Sequence, residues 1–192
     1  MKDGNITNMI TSIISAIITI VFIPLMIVKY VSVSKLGVIF LSISYSILLV
    51  YFILKSIYYG VENEKTKRVL YRIFRVLIDV FFCLILSYFC LSSSIYIKWI
   101  LFGLICSFTL FNMICSSFNS LNVVRWILQG IMIELFFYLI LEFKSNFIVL
   151  IGCTSVLLFY IGNIAGNTTN NKLLLSSDVI STILFGLFLL FI

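Results

Sequence analysis

Four charged side chains stand inside or at the edges of otherwise apolar stretches: Lys55, Asp79, Arg125 and Glu134. Such a group costs about 2.5–3.5 kcal/mol at the middle of a membrane helix, so it normally turns inward and pairs, or marks an ion or proton path. Lys55 and Arg125 lie near the ends of their stretches, where a long stem lets the charged head snorkel to the interface. Asp79 follows Arg75 by one helical turn, which makes an i,i+4 pair available, with Lys55 as the alternative partner at similar depth. Glu134 is nine residues beyond Arg125, about 13 Å along a helix axis and on its opposite side, out of reach of that guanidinium. It reads either as a proton or ion site or as a carboxyl hydrogen-bonded to a neighbouring helix.

Metal chemistry has little to work with. The chain contains no histidine, and its five cysteines (Cys83, Cys90, Cys106, Cys115 and Cys153) all fall inside apolar runs. Cysteine in such a setting packs as a small hydrophobe, and no CxxC spacing suggests a metal or redox pair. Neither a metal nor another cofactor is expected.

The elements that must position these groups are helices in lipid. Hydrophobic residues make up 62% of the 192-residue chain and charged residues 10%, and the mean hydropathy is +1.24. Buried in hydrocarbon, backbone polar groups must be satisfied internally, which leaves helices or a closed barrel. Barrel strands would alternate over about ten residues. The runs here are solid and about twice that length, with a single proline in the chain. The first run is too long for a signal-peptide core and lacks a small-residue cleavage site, so it reads as a retained span. The spans fall at residues 9–28, 37–59, 76–93, 99–117, 122–141, 147–165 and 175–192, each near the ~20 residues that a crossing requires.

The expected fold class is therefore all-α: one transmembrane domain over residues 1–192, a polytopic bundle of about seven helices. Cationic residues near span ends set its orientation. With the N-terminus inside, the inner side holds Lys2, Lys65, Lys67, Arg68, Arg72, Arg75, Arg125 and Lys172, against Lys29, Lys35, Lys98 and Lys144 outside. An N-in, C-out arrangement in the cytoplasmic membrane follows. The basic residues of 60–75 recur at helical spacing beside Val69, Leu70, Ile73 and Phe74, as in an interfacial turn of helix whose arginines reach lipid phosphates. Gly162 and Gly166 form a GxxxG spacing that suits close helix packing.

Short stretches in consistent order resemble the hemolysin III family, bacterial relatives of the progestin and adipoQ receptors. Asn8-Met9-Ile10-Thr11-Ser12 is similar to the family's Asn-x-x-Thr-His opening of helix one, with Ser12 in the histidine position. Ser56-Ile57-Tyr58-Tyr59-Gly60 resembles Ser-x-x-Tyr-His at the end of helix two, with Gly60 replacing the histidine, and Lys67-Arg68-Val69-Leu70 resembles the basic connection that follows. Phe74-Arg75 replaces the family's Asp-His. Trp126 to Gly130 and Phe159-Tyr160-Ile161-Gly162 resemble later motifs, and the paired histidines of helix seven would fall near Leu174 and Asp178.

The resemblance implies seven helices with the N-terminus inside and a role in membrane lipid homeostasis or permeabilisation. In the family, three histidines with an Asp and a Ser are thought to hold zinc. Here each of those histidine positions is occupied by another residue, and Asp79, Asp178 and Ser56 make a poor zinc cage. The implied outcome is a membrane protein without zinc-dependent hydrolysis, with a structural, regulatory or lipid-sensing role. Asn8, Thr11, Ser56, Tyr59, Asp79 and Asp178 would be the remnants of a polar pocket. Two rivals are a small transporter or permease subunit with Glu134 on its conduction path, and an immunity-type membrane protein. Expected partners are membrane lipids and a second copy or another membrane protein, with no nucleic acid.

Overall fold

The computed structural model describes residues 3–93, 95–117, 122–141, 146–165 and 177–191. These form helices α1 (Asp3–Val31), α2 (Lys35–Gly60), α3 (Glu64–Ser92), α4 (Lys98–Ser117), α5 (Asn122–Leu141), α6 (Asn146–Ala165) and α7 (Ser177–Phe191), and no strand occurs among the described residues. Five of them, α1 to α5, are long and apolar enough to cross a membrane; the apolar parts described in α6 (Val149–Leu158) and α7 are shorter. Residues 166–176, which carry Gly166, Lys172 and Leu174, lie outside the described residues.

Local chemistry sets the boundaries. Ser34 caps α2, its hydroxyl accepting from Gly37 N at 3.2 Å. Asn63 caps α3, its side-chain carbonyl accepting from Lys65 N at 2.9 Å, and Glu64 follows in the first turn, where an acid suits the helix dipole. The basic stretch is thus the start of α3 itself. That helix has 29 residues, about 43 Å at 1.5 Å per residue, well over the ~30 Å of a hydrocarbon core.

Three-residue connections force antiparallel neighbours, and the side-chain contacts agree. Met9 meets Gly60 and Tyr30 meets Gly37 between α1 and α2, and Tyr58 meets Tyr71 between α2 and α3. Sequential neighbours pack in turn and α7 returns to α1, closing a ring, while α3 also leans on α5. Direction alternates throughout. Tyr30 donates to Leu189 O at 2.9 Å, and Phe81 and Phe89 pack on Phe185 and Phe188. Helices α1, α3 and α7 therefore run the same way, and Asp3 and Phe191 lie at opposite ends of the bundle.

The centre is aromatic. Phe89 meets Phe136 edge-on at 5.9 Å, and Phe136 in turn lies 6.1 Å from Phe188, a geometry that favours ring quadrupoles beyond simple burial. Close approach of α7 depends on glycine. A Cβ at Gly152 would sit 2.5 Å from the Phe188 ring, and one at Gly186 would overlap the Phe22 ring. The outer surface carries Ile13, Ile17, Val21, Ile39, Ile43, Val50, Leu110 and Ile127, all exposed. An apolar outer surface around an apolar core is the reverse of the soluble pattern, in which the outside is polar.

Candidate functional site

The buried charged groups gather at one end of the bundle, the end that holds Asp3 and the beginning of α3. Lys55, near the end of α2, forms an ion pair with Asp178 in the first turn of α7, and each side chain is 8% exposed. The Lys55 ammonium also lies 5.5 Å from the Tyr51 ring centroid, within cation–π range, and within electrostatic reach of Tyr59. Thr182 and Ser181 donate to Asp178 O at 2.6 and 3.0 Å. Oδ1 of Asp178 has no hydrogen-bond partner among the described residues.

A second pair joins α3 to α5. Oδ1 of Asp79 lies 3.8 Å from Nη2 of Arg125 and accepts from Nε2 of Gln129 at 3.3 Å. Arg125 and Gln129 are one turn apart, so both face α3. Asp79, Thr109, Asn112 and Gln129 line a cavity of about 10 Å³ with Phe82 and Met132. On the other side of Phe82, Ser155, Ser181 and Thr182 line a second cavity of about 20 Å³ with Leu48 and Phe185. Spaces of that size hold about one water each and no substrate.

The structure bears on four sequence expectations. Lys55 and Arg125 do not snorkel; both are buried in ion pairs. Asp79 meets Arg125 and Gln129 and lies within electrostatic reach of Arg75, while the alternative cation, Lys55, is committed to Asp178. Arg75 is buried, with its guanidinium 5.0 Å from the Tyr71 ring centroid. Glu134 points away from the bundle and is exposed on α5, so it lines no path through the interior of a single chain.

Among the remnant residues, Tyr59 and Asp178 come within electrostatic reach of each other. Thr11 donates to Asn8 O at 3.0 Å within α1, and Ser56 donates to Ile53 O at 2.8 Å within α2. Tyr59 stacks edge-on with Tyr58 at 5.2 Å and approaches the Lys55–Asp178 pair. Asp79 and Asp178 each face a different cation. No three His, Cys, Asp or Glu side chains gather among the described residues.

The sequence reading missed Gln129, Asn112, Thr109 and Tyr51. Gln129 was detectable: it follows Arg125 by four residues, where a second inward polar group serves the same partner. Lys29 was read only as an outer charge. It donates to the carbonyls of Leu189 and Leu190, which the end of α7 leaves without helical partners.

One opening faces outward. A groove of about 310 Å³ between α2 and α3 is lined by Ser42, Ile43, Ser46, Ile47, Val50 and Leu77. Val69, Ile73 and Leu77 follow at four-residue intervals, so one line of apolar side chains runs from the basic start of α3 into the groove. Arg68 and Arg72 are exposed alongside that line. No protein-family model, curated protein or solved structure matches this chain.

Proposed function

We propose that this chain is an integral protein of the cytoplasmic membrane, N-terminus inside, that binds anionic phospholipid along the α2–α3 face without catalysing a reaction. The observation that carries this reading is the continuity of the basic turn with the apolar groove. Arg68 and Arg72 sit at the height of lipid phosphates when the apolar part of α3 is centred in hydrocarbon. Ile73, Leu77, Val50 and Ile47 then offer an acyl chain a track below them. Juxtamembrane cations attract the anionic cytoplasmic leaflet by about 1 kcal/mol each. The excess of Lys and Arg on this side supports the orientation.

The interior supports a non-catalytic role. Its charged groups are spent on joining helices, and the hydroxyl of Ser56 is tied to its own backbone. The resemblance to hemolysin III points the same way, since it implies a lipid-related protein whose zinc-binding histidines have been replaced.

Lipid retained by the purified protein tests the proposal by native mass spectrometry. Extracted from membranes containing phosphatidylglycerol and phosphatidylethanolamine, the wild type is expected to keep the anionic lipid. Arg68→Gln/Arg72→Gln should lose it several-fold, and Ile47→Trp should lose it by filling the groove. Equal retention by all three proteins would refute the assignment.

A further inference from the structure

Glu134 presents a problem that the bundle does not solve. It lies twelve residues into the twenty-residue α5, on the outward face, with no hydrogen bond or ion pair to any described residue. Around it the exposed side chains are Val123, Ile127, Tyr138 and Leu141. Gly130 is one turn before Glu134 on the same face, and a Cβ there would meet nothing within 4 Å. The stripe 123, 127, 130, 134, 138, 141 advances by three or four residues, the spacing with which one helix meets another.

From this face we infer that two copies of the chain pair through α5, with Glu134 hydrogen-bonded to Glu134 of the second copy and Gly130 letting the backbones approach. Three physical arguments select a second copy. A carboxyl group facing hydrocarbon needs a hydrogen-bonding partner at its own depth, and the equivalent carboxyl of a second copy supplies one when the pair holds a proton between them. Copies inserted with the same topology are related by an axis along the membrane normal, so the two α5 helices run parallel and equivalent residues meet at equal depth. The cations at membrane depth that a different charge partner would need, Lys55 and Arg125, are already paired inside the bundle. A small residue one turn from a polar one is the combination that supports helix association in lipid, where apolar burial offers no driving force. The inference is independent of the lipid groove, which lies on α2 and α3.

Förster transfer between donor- and acceptor-labelled full-length protein in phosphatidylcholine proteoliposomes, over a range of protein-to-lipid ratios, tests it. Wild type is expected to dimerise. Glu134→Gln should dimerise as well, because an amide also donates and accepts. Glu134→Leu should weaken association about five- to tenfold, the scale of one interhelical hydrogen bond, and Gly130→Leu should weaken it similarly. Neither side chain touches the interior, so all variants should keep the wild-type Tm when diluted to monomers in detergent. A wild type that stays monomeric at every ratio, or a Glu134→Leu variant that pairs as well as wild type, would overturn the inference.

Discussion

Lys55 of α2 and Asp178 of α7 meet across the inside of the bundle, and neither helix packs closely against the other along its backbone. The pair is a bridge through the interior, held by two long-range side chains. Removing one partner strands the other charge in a low-dielectric setting, which typically costs about 3–5 kcal/mol. Replacing both by apolar groups is often close to neutral. Lys55→Met and Asp178→Leu should each lower the Tm in detergent strongly, and the double variant should recover most of the loss. Additive losses in the double variant would show that the two residues act separately.

The Asp79 cluster carries an expected order of effects. Arg125→Met removes a charge partner and should cost about 3–5 kcal/mol. Gln129→Leu removes one hydrogen bond and should cost about 1–3 kcal/mol. Thermal unfolding followed by tryptophan fluorescence ranks them; a larger loss from Gln129→Leu would contradict the geometry.

Two glycines should respond to alanine with opposite signs. At Gly152 the added methyl meets the Phe188 ring, which is itself enclosed by Phe89, Phe136 and Phe185. Overpacking there should cost about 1–3 kcal/mol. At Gly103 nothing lies within 4 Å, and alanine's better helix propensity should add up to about 1 kcal/mol. Comparison of the two Tm values decides it.

Lys29 and Tyr30 of α1 fasten the end of α7. In Lys29→Met/Tyr30→Phe the last turn of α7 should fray, read as faster amide hydrogen exchange confined to residues near 187–191. Unchanged exchange there would mean that the turn is held by packing alone.

The proposed orientation has a direct readout. A cysteine at Thr66 should react with an impermeant maleimide only after the cytoplasmic membrane is opened, whereas one at Ser32 should react in intact cells. The reverse pattern would invert the topology.

Much of the architecture was legible because hydropathy is a one-dimensional signal. Runs of about twenty apolar residues locate helices without any knowledge of tertiary contacts, and short connections make them alternate. The basic start of α3 was readable for the same reason, from the spacing of Arg68, Arg72 and Arg75. Partner choice was legible only in part. Arg75 was readable as a neighbour of Asp79 from the i,i+4 spacing, but Arg125 on α5 was not, because that contact depends on how α3 leans in the ring. Lys55 looked free to snorkel because Asp178 is remote in sequence. For Glu134, depth could be counted along the helix, but facing could not. The inward rule for membrane carboxylates applies to a complete assembly, and a single chain need not satisfy it. Tight glycine contacts also occur at the isolated Gly37, Gly152 and Gly186, which carry no spacing motif to mark them.

The 123-residue separation between Lys55 and its counter-ion has a consequence for how the protein is made. Helix α2 leaves the ribosome and enters the bilayer long before α7 has been synthesised, so for most of translation its ammonium has no carboxylate to meet. The nascent chain must shelter that charge at the insertion machinery or near the leaflet surface, then admit it to the interior once α7 arrives. Biogenesis would thus be gated late, with a chain arrested before α7 exposing an unneutralised cation to quality-control proteases.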